Sequence, residues 1–313
     1  MSNNLILLPH IRVHNANALS SPFTIGFPAM TAWLGAVHAL QRKLNEREFS
    51  VEFSAAGVVV HGFDLQTYKG PGDFVHSIVG TGNPLEPKTE KGKPKGNAVR
   101  PSFIEEARCH LEVSIVIEYS GLEAQEEKSI LKTIPELLLG HMKLAGGDIL
   151  DCQPPEIIRD FSKARHKLMP GYALLERRDL MKGAMEQGQD ALDALLDYLA
   201  IHHSCDKTEV NGEEHVTWQR QRKTTGPNGE TGWIIPIATG FHGISELGAA
   251  LNQRDPSYPH CFAESVVTLG EFKMPYHLES QDELLWRYQF ESEHNLYLCT
   301  QQSNLSESIN EDY

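Results

Sequence analysis

Alternating apolar and polar positions predict most of the strands in the first half of the chain. Residues 5–13 are almost continuously apolar at first and then alternate. In the segment RCHLEVSIVIEY, apolar residues recur at every second position from Leu111 to Tyr119, which is typical of a half-buried strand. Residues 49–65 keep most of their large apolar side chains at odd positions, and the segment DILDC predicts a short fourth strand.

Apolar residues at helical spacing predict two helices between these strands. The first begins near Thr31 and has Trp33 and Leu40 on its apolar face. The second begins at Thr133, where Glu136 completes a capping box, and the pair Gly146-Gly147 ends it. The resulting order, β-α-β-β-α-β, is that of the ferredoxin-like fold, which many RNA-binding (RRM) domains share.

The ferredoxin-like order occupies residues 1–150 and contains one large insertion. Residues 67–104 are rich in Gly, Pro and Lys and lie between the second and third predicted strands. The flanks of this insertion carry apolar residues that fit an extended hairpin, and its centre, 87–97, has the composition of a disordered loop. We therefore predict a basic thumb hairpin that projects from an α+β domain.

The pattern changes after residue 150. Residues 151–217 hold a basic stretch and a leucine-striped helix capped by Asp190, so we interpret them as a partly basic helical segment. Residues 218–313 form an acidic region with further strands. Those strands are predicted at 232–237, 262–269 and 295–299.

The charge of the chain is negative but unevenly distributed. The formal net charge is −14, and residues 246–313 alone hold 12 acidic and 3 basic residues. Residues 86–100 hold five basic residues against two acidic ones, and residues 156–178 hold six against three. These two patches would suit a polyanion, although composition alone does not indicate one. No apolar run approaches the roughly 20 residues of a membrane span, so we expect a cytoplasmic protein without a membrane partner.

The sequence predicts neither a catalytic nor a metal site, and no cofactor. The five cysteines form no Cys-x-x-Cys pair. His202, His203 and Cys205 are interpreted as residues at a helix end, because a structural zinc site needs four regularly spaced ligands. No P-loop and no G-x-S-x-G nucleophile motif is present.

What remains is a set of polar residues suited to RNA. The segment NANALSSPFTIGFP, residues 15–28, holds more polar residues than a simple turn needs. Asparagine pairs with base edges, and serine binds phosphate, but both also bond their own backbone, so a self-capped turn is an equal alternative. For Arg108 and His110 the alternative is solvated charge at a sheet edge. The candidate RNA-binding residues, including those of the thumb, are Arg12, His14, Asn15, Asn17, Ser20, Ser21, Phe74, His76, Asn83, Arg108 and His110.

The string NANALSSPFTIGFPAMTAWLGAVHALQRK resembles the N-terminal motif of the family of second Csy subunits in type I-F CRISPR surveillance complexes. The resemblance continues through the segments EARCHLEVSIVI, HMKLAGGDIL, LMPGYALLERRDL, GWIIPIATGF, VVTLGEFKMP, DELLW and HNLYLC. It covers nearly the whole chain, with the segments in family order. It implies an RRM-like domain with a thumb hairpin and a helical insertion.

This resemblance also implies a function, that of a non-catalytic RNA-binding subunit in a crRNA-guided antiviral complex that targets DNA. Such a subunit pairs with the large Csy subunit to hold the 5′ handle of the guide RNA. Its thumb lies against the guide beside the first backbone subunit, and the target DNA is an indirect partner. RNA contact by residues 15–22, Arg108 and His110 follows from the same resemblance.

Two other functions remain open from the sequence. The first is a metal-independent endoribonuclease on the same fold, with His14, His38 or His110 as general base. The second is a purely structural adaptor in which Asn15 and Asn17 serve only the turn.

Overall fold

The computed structural model describes residues 4–80, 85–86, 89–90, 93–94, 98–100, 106–210, 213–226, 228–253 and 255–301. Within these ranges, five α-helices and one large antiparallel sheet make an α+β fold, which confirms the predicted class. None of the described helices is long and apolar enough to cross a membrane.

The first half of the chain supplies most of the central strands and two of the five helices. Its elements are, in order, β1 (Leu5–Asn17), β2 (Leu19–Ser21), β3 (Thr24–Ile25), α1 (Met30–Asn45), β4 (Glu52–Leu65), β5 (Thr67–Tyr68), β6 (Ser77–Ile78), β7 (Thr89–Glu90), β8 (Lys93–Pro94), β9 (Arg108–Ser120), α2 (Glu127–His141), β10 (Lys143–Leu144) and β11 (Gly147–Asp151).

The second half alternates short helices with strands. Its elements are β12 (Glu156–Ile158), α3 (Phe161–Lys167), β13 (Tyr172–Glu176), α4 (Arg178–Glu186), α5 (Ala191–Leu199), β14 (His202–Val210), β15 (Glu213–Gln221), β16 (Trp233–Gly243), β17 (Ala263–Lys273), a 3₁₀ turn (Pro275–His277), β18 (Trp286–Glu291) and β19 (Leu296–Gln301).

Strands from both halves pair into a single sheet. The strand order is β10-β11-β1-β9-β4-β13-β17-β16-β19-β18, and β12 pairs separately with β1. Strand β18 returns to pair with β4 through Trp286 and Ala56, so six strands from β4 to β18 form a closed circuit. The late strands of the chain therefore extend the sheet that the early strands begin.

Helices α1 and α2 bury their apolar stripes on one face of β1, β9 and β4. Helix α1 buries Trp33, Val37 and Leu40, as the 3.6-residue period predicts, and the Trp33 indole donates to the Pro28 carbonyl at 3.2 Å. The basic residues Arg42 and Lys43 lie in its last turn, where the helix dipole favours positive charge.

Helix α2 begins at Glu127, earlier than predicted, so the capping-box prediction is wrong. Thr133 lies inside the helix, where its hydroxyl donates to the Ser129 carbonyl at 3.0 Å. Pro135 is also inside. Ile130 is fully buried on the same face as Ile134, and this extra buried turn extends the helix upstream of the proline.

Two further predictions differ from the structure. Helix α2 ends at His141, so the pair Gly146-Gly147 does not end it. Gly146 lies in the turn between β10 and β11, and Gly147 is the first residue of β11. His202, His203 and Cys205 lie in β14, which pairs with β15, so their assignment to a helix end is wrong. The Asp190 cap of α5 is confirmed, because its side chain accepts from the Asp193 backbone N–H at 2.8 Å.

The three central strands β1, β9 and β4 each divide into two halves. In the covered half both faces are buried, the second face against α3 and residues 275–285. In the open half the polar face has exposed side chains such as Arg12 and His14. The covered half comprises residues 5–8, 55–60 and 114–117, and the open half comprises residues 10–17, 61–65 and 108–112.

Candidate nucleic-acid interface

A groove of about 510 Å³ runs across the polar face of the open half. Strand pairing builds it, because Arg12 lies opposite Glu112, and Asp64 lies opposite His110. Leu150 of β11 forms one side. The groove therefore combines cationic, acidic and imidazole side chains within a few residue spacings on neighbouring strands.

Two histidines of the groove stack on each other. The rings of His14 and His110 lie with centroids 4.3 Å apart and planes 17° from parallel. The backbone N–H of Asn15 donates to Nδ1 of His110 at 3.3 Å. The Asn15 side-chain oxygen accepts from Gln66 at 2.5 Å, so the end of β1 is tied to both β9 and the end of β4.

The two arginines of the candidate set have different surroundings. Arg108 is paired with Glu106 and donates to the Asn15 carbonyl at 3.5 Å, which fixes its position beside the end of β1. Arg12 is exposed, and no hydrogen bond or ion pair joins its guanidinium to another residue in the described ranges. Arg12 is therefore the guanidinium of this face that is best placed to take an external anion.

The residues after Asn15 hold a tight hairpin. The Asn17 amide donates to the Leu19 carbonyl at 3.0 Å and accepts from the Leu19 N–H at 3.1 Å. The hydroxyls of Ser20 and Ser21 lie 2.8 and 2.7 Å from that of Thr24, and Ser21 is only 4% exposed. Asn17, Ser20 and Ser21 therefore bond within their own segment, as in the self-capped turn, and β2 pairs with β3 there.

Glycine allows the turn before β11 to approach β1. Gly146 has a φ of +77°, which is in the left-handed region. A Cβ on Gly147 would lie 2.7 Å from the His14 carbonyl oxygen and from the Ala16 nitrogen. The GGD segment therefore positions β11 beside the end of β1 that carries Asn15.

A second histidine pair, which the sequence did not predict, lies at the boundary between the open and covered halves. The His10 and His61 rings stack at 4.2 Å, and His10 Nδ1 lies 2.7 Å from a Glu112 carboxylate oxygen. His61 contacts the Pro170 carbonyl through Nδ1 and the Ser114 hydroxyl through Nε2, each at 2.7 Å. Because a carbonyl only accepts, Nδ1 carries the proton and Nε2 accepts.

Burial of His61 lowers its pKa, which favours this neutral tautomer. A bulge determines where His61 lies. The register of β4 with β9 shifts between Val60 and Gly62, and His61 is the residue between them.

The candidate thumb residues lie beyond the end of β4. Strands β5 and β6 pair there, Phe74 is fully exposed, and the Thr67 hydroxyl lies 3.2 Å from Nδ1 of His76. Asn83 lies outside the described residues, as does most of the basic centre at 87–97.

The same geometry bears on catalysis and metal binding. His14 and His110 are brought together, whereas His38 lies on α1 and lines a different pocket with Tyr288. Over the ranges that the structure describes, no group of three or more His, Cys, Asp or Glu side chains is arranged to hold a metal ion. The arrangement of the open half can hold an anion at Arg12 and offers ring faces beside it.

Comparison with known proteins gives two consistent matches. A family model described as CRISPR-associated protein (Cas_Csy2) matches residues 6–299. The chain is also similar to the CRISPR-associated protein Csy2 of Pseudomonas aeruginosa (strain UCBPP-PA14), with 31% identity over 324 aligned positions that cover 94% of each chain.

Proposed function

The chain belongs to the Csy2 family, whose members are subunits of the type I-F CRISPR (Csy) complex, and from this premise we propose that it is a non-catalytic RNA-binding subunit. In this proposal it holds the 5′ handle of the guide RNA together with the large Csy subunit. The first backbone subunit is its neighbour, and target DNA is reached only through the assembled complex.

The observation that carries the proposal is the open half of the sheet. The Arg12 guanidinium makes no hydrogen bond or ion pair with any residue that the structure describes, and the His14–His110 pair presents stacked rings next to it. A guanidinium binds phosphate, and aromatic or imidazole rings stack on unpaired bases. Asn15 supplies an exposed amide at the same edge.

We further propose that β1 to β11 form a ferredoxin-like core. The supporting observation is the strand order β11-β1-β9-β4, with α1 and α2 packed on one face. In RRM domains the opposite face of such a sheet binds RNA. Here the covered half of that face is occupied by α3 and residues 275–285, which leaves the open half for the ligand.

The charge of the chain supports a shared rather than a solitary binding site. A net charge of −14 repels a polyanion such as RNA. Within the groove, the negative charges of Asp64 and Glu112 also offset the positive charge of Arg12. We therefore expect the isolated protein to bind guide RNA weakly and the pair with the large subunit to bind it firmly. The acidic C-terminal region then faces a basic protein surface.

The test is reconstitution of the complex from its Cas subunits and guide RNA, with and without this chain. The proposal predicts that the 5′ handle is protected from ribonuclease only when the chain is present. Equal protection without it would contradict the proposal. Incubating the purified chain with CRISPR repeat RNA in EDTA gives a separate result. A discrete product that is lost in His14→Ala or His110→Ala would instead support the endoribonuclease.

A further inference from the structure

Three exposed aromatic side chains surround a small recess next to the groove. Phe63, Tyr172 and Trp233 are 43%, 42% and 53% exposed. Together with Phe272 and Val60 they line a cavity of about 230 Å³. Among the residues that the structure describes, no acidic or basic side chain lines the cavity apart from the imidazole of His61. Large aromatic side chains left exposed around one concave site indicate a ligand.

The rings of the recess are held rigidly by a chain of ring contacts that reaches the core. Tyr172 and Phe272 each meet Trp233 edge-to-face at 5.3 Å. Phe272 meets Phe27 at 5.6 Å, and Phe27 stacks on the fully buried Trp33 at 5.3 Å. Since the inner rings are fixed by packing, the outer rings lose little conformational freedom when a ligand binds.

The recess is continuous with the groove of the open half. Gly62 and Phe63 line both cavities, at the end of β4 where the bulge lies. A strand of nucleic acid with a phosphate at Arg12 would therefore reach the recess without leaving the surface of the protein.

We propose that this recess binds one unpaired nucleobase of the guide RNA, stacked against Trp233 and Tyr172; the inference rests on the proposed function. We expect a base rather than a phosphate in the recess, because the described lining residues offer aromatic faces and edges but no Lys or Arg to bind a phosphate. The volume is below the roughly 300–1,000 Å³ of ordinary small-molecule pockets, which suits a single ring system. An apolar side chain of another subunit is the competing occupant.

The test uses the complex reconstituted from the full chain, the other Cas subunits and guide RNAs that carry 2-aminopurine at one position each. Stacking quenches this fluorophore. We expect one position to be quenched in the wild-type complex, to brighten with Trp233→Ala and to stay quenched with Trp233→Phe. RNA affinity should fall about tenfold with Trp233→Ala, within the range measured for loss of one stacked base. Phe290→Ala, at an exposed aromatic of β18, should change neither quantity.

Three other results would each contradict the proposal that the recess binds a base. If RNA loading requires the chain but no position responds to Trp233→Ala, the recess is not a base site while the proposed function stands. If RNA loads equally without the chain, both fail. If Trp233→Ala weakens assembly of the subunits in the absence of RNA, the recess holds a protein side chain. If the Trp233→Ala chain does not fold, Tyr172→Ala is measured in its place, and the same outcomes apply.

Discussion

The covered and open halves of the central strands share their backbone but differ in what lies on the second face. Residues 5–8 of β1 are all buried, so both faces of the strand are covered there. Residues 10–17 of the same strand alternate between core and solvent. Strand β9 shows the same change, from Ser114–Ile117 to Arg108–Glu112. A half buried on both faces contributes mainly to stability, and a half left open on one face can bind a ligand. Four predictions test this division.

The largest effect is expected for truncation in the covered half. Leu7 is almost fully buried against α3 and residues 275–285, so Leu7→Ala should cost about 2–5 kcal/mol of the free energy of unfolding. Leu150→Ala, at an exposed leucine of the groove, is the matched control and should change it by less than about 0.5 kcal/mol. Urea unfolding measures both. Equal costs would show that the two halves do not differ as described.

Removal of the guanidinium in the open half should weaken RNA binding without affecting stability. We expect Arg12→Ala to lower the affinity of the reconstituted complex for guide RNA about tenfold, because one phosphate contact is lost. The dependence of log Kd on log salt should also fall by about one unit. Arg42→Ala, at an exposed arginine of α1, is the control. An Arg12 variant with unchanged affinity and salt dependence would remove Arg12 from the interface.

The free energy of unfolding should depend on pH through His61, at the boundary between the halves. Burial lowers the pKa of His61 below its ordinary value of 6.5, so below that pH the unfolded chain binds a proton that the folded chain resists. The stabilising contribution is therefore present above pH 6.5 and is lost as the pH falls. Its slope is at most about 1.4 kcal/mol per pH unit.

His61→Asn should flatten this part of the stability–pH curve, whereas His38→Asn, at an exposed histidine of α1, should leave it unchanged. Thermal unfolding between pH 5 and pH 8 measures the difference. A wild-type curve as flat as that of the His61 variant would show that His61 is not held neutral.

The smallest effect is expected at the hairpin that follows the open half. The Asn17 amide makes both of its bonds to Leu19, so Asn17→Ala should cost about 0.5–1.5 kcal/mol of stability. RNA affinity should change less than twofold. A large loss of affinity with normal stability would mean that Asn17 contacts RNA directly.

The sequence predicted β9 and α5 well, because their apolar residues follow a simple period. Apolar residues at every second position from Leu111 to Tyr119 placed His110 and Glu112 on the polar face of β9, and the leucine stripe after Asp190 placed α5. The pattern did not predict that both faces of β9 are buried at residues 114–117. It failed where tertiary contacts override local signals. Thr133 has the pattern of a helix cap, yet burial of Ile130 extends α2 past it.

The candidate site was only partly visible in the sequence. The stack of His14 on His110 depends on the register of β1 with β9, which the alternation does not determine by itself. His61 is displaced by the bulge at Gly62, and Trp233 and Tyr172 come from strands far along the chain. Contacts between such distant segments require the three-dimensional pairing.

Ultraviolet crosslinking of guide RNA in the assembled complex, followed by mass spectrometry of the attached peptides, tests most directly whether the open half binds RNA. We expect crosslinks in the open half, at peptides containing residues 10–17, 61–65 and 108–112, and none in the peptides of the covered half. Crosslinks confined to β18 and β19, with none in the open half, would contradict it.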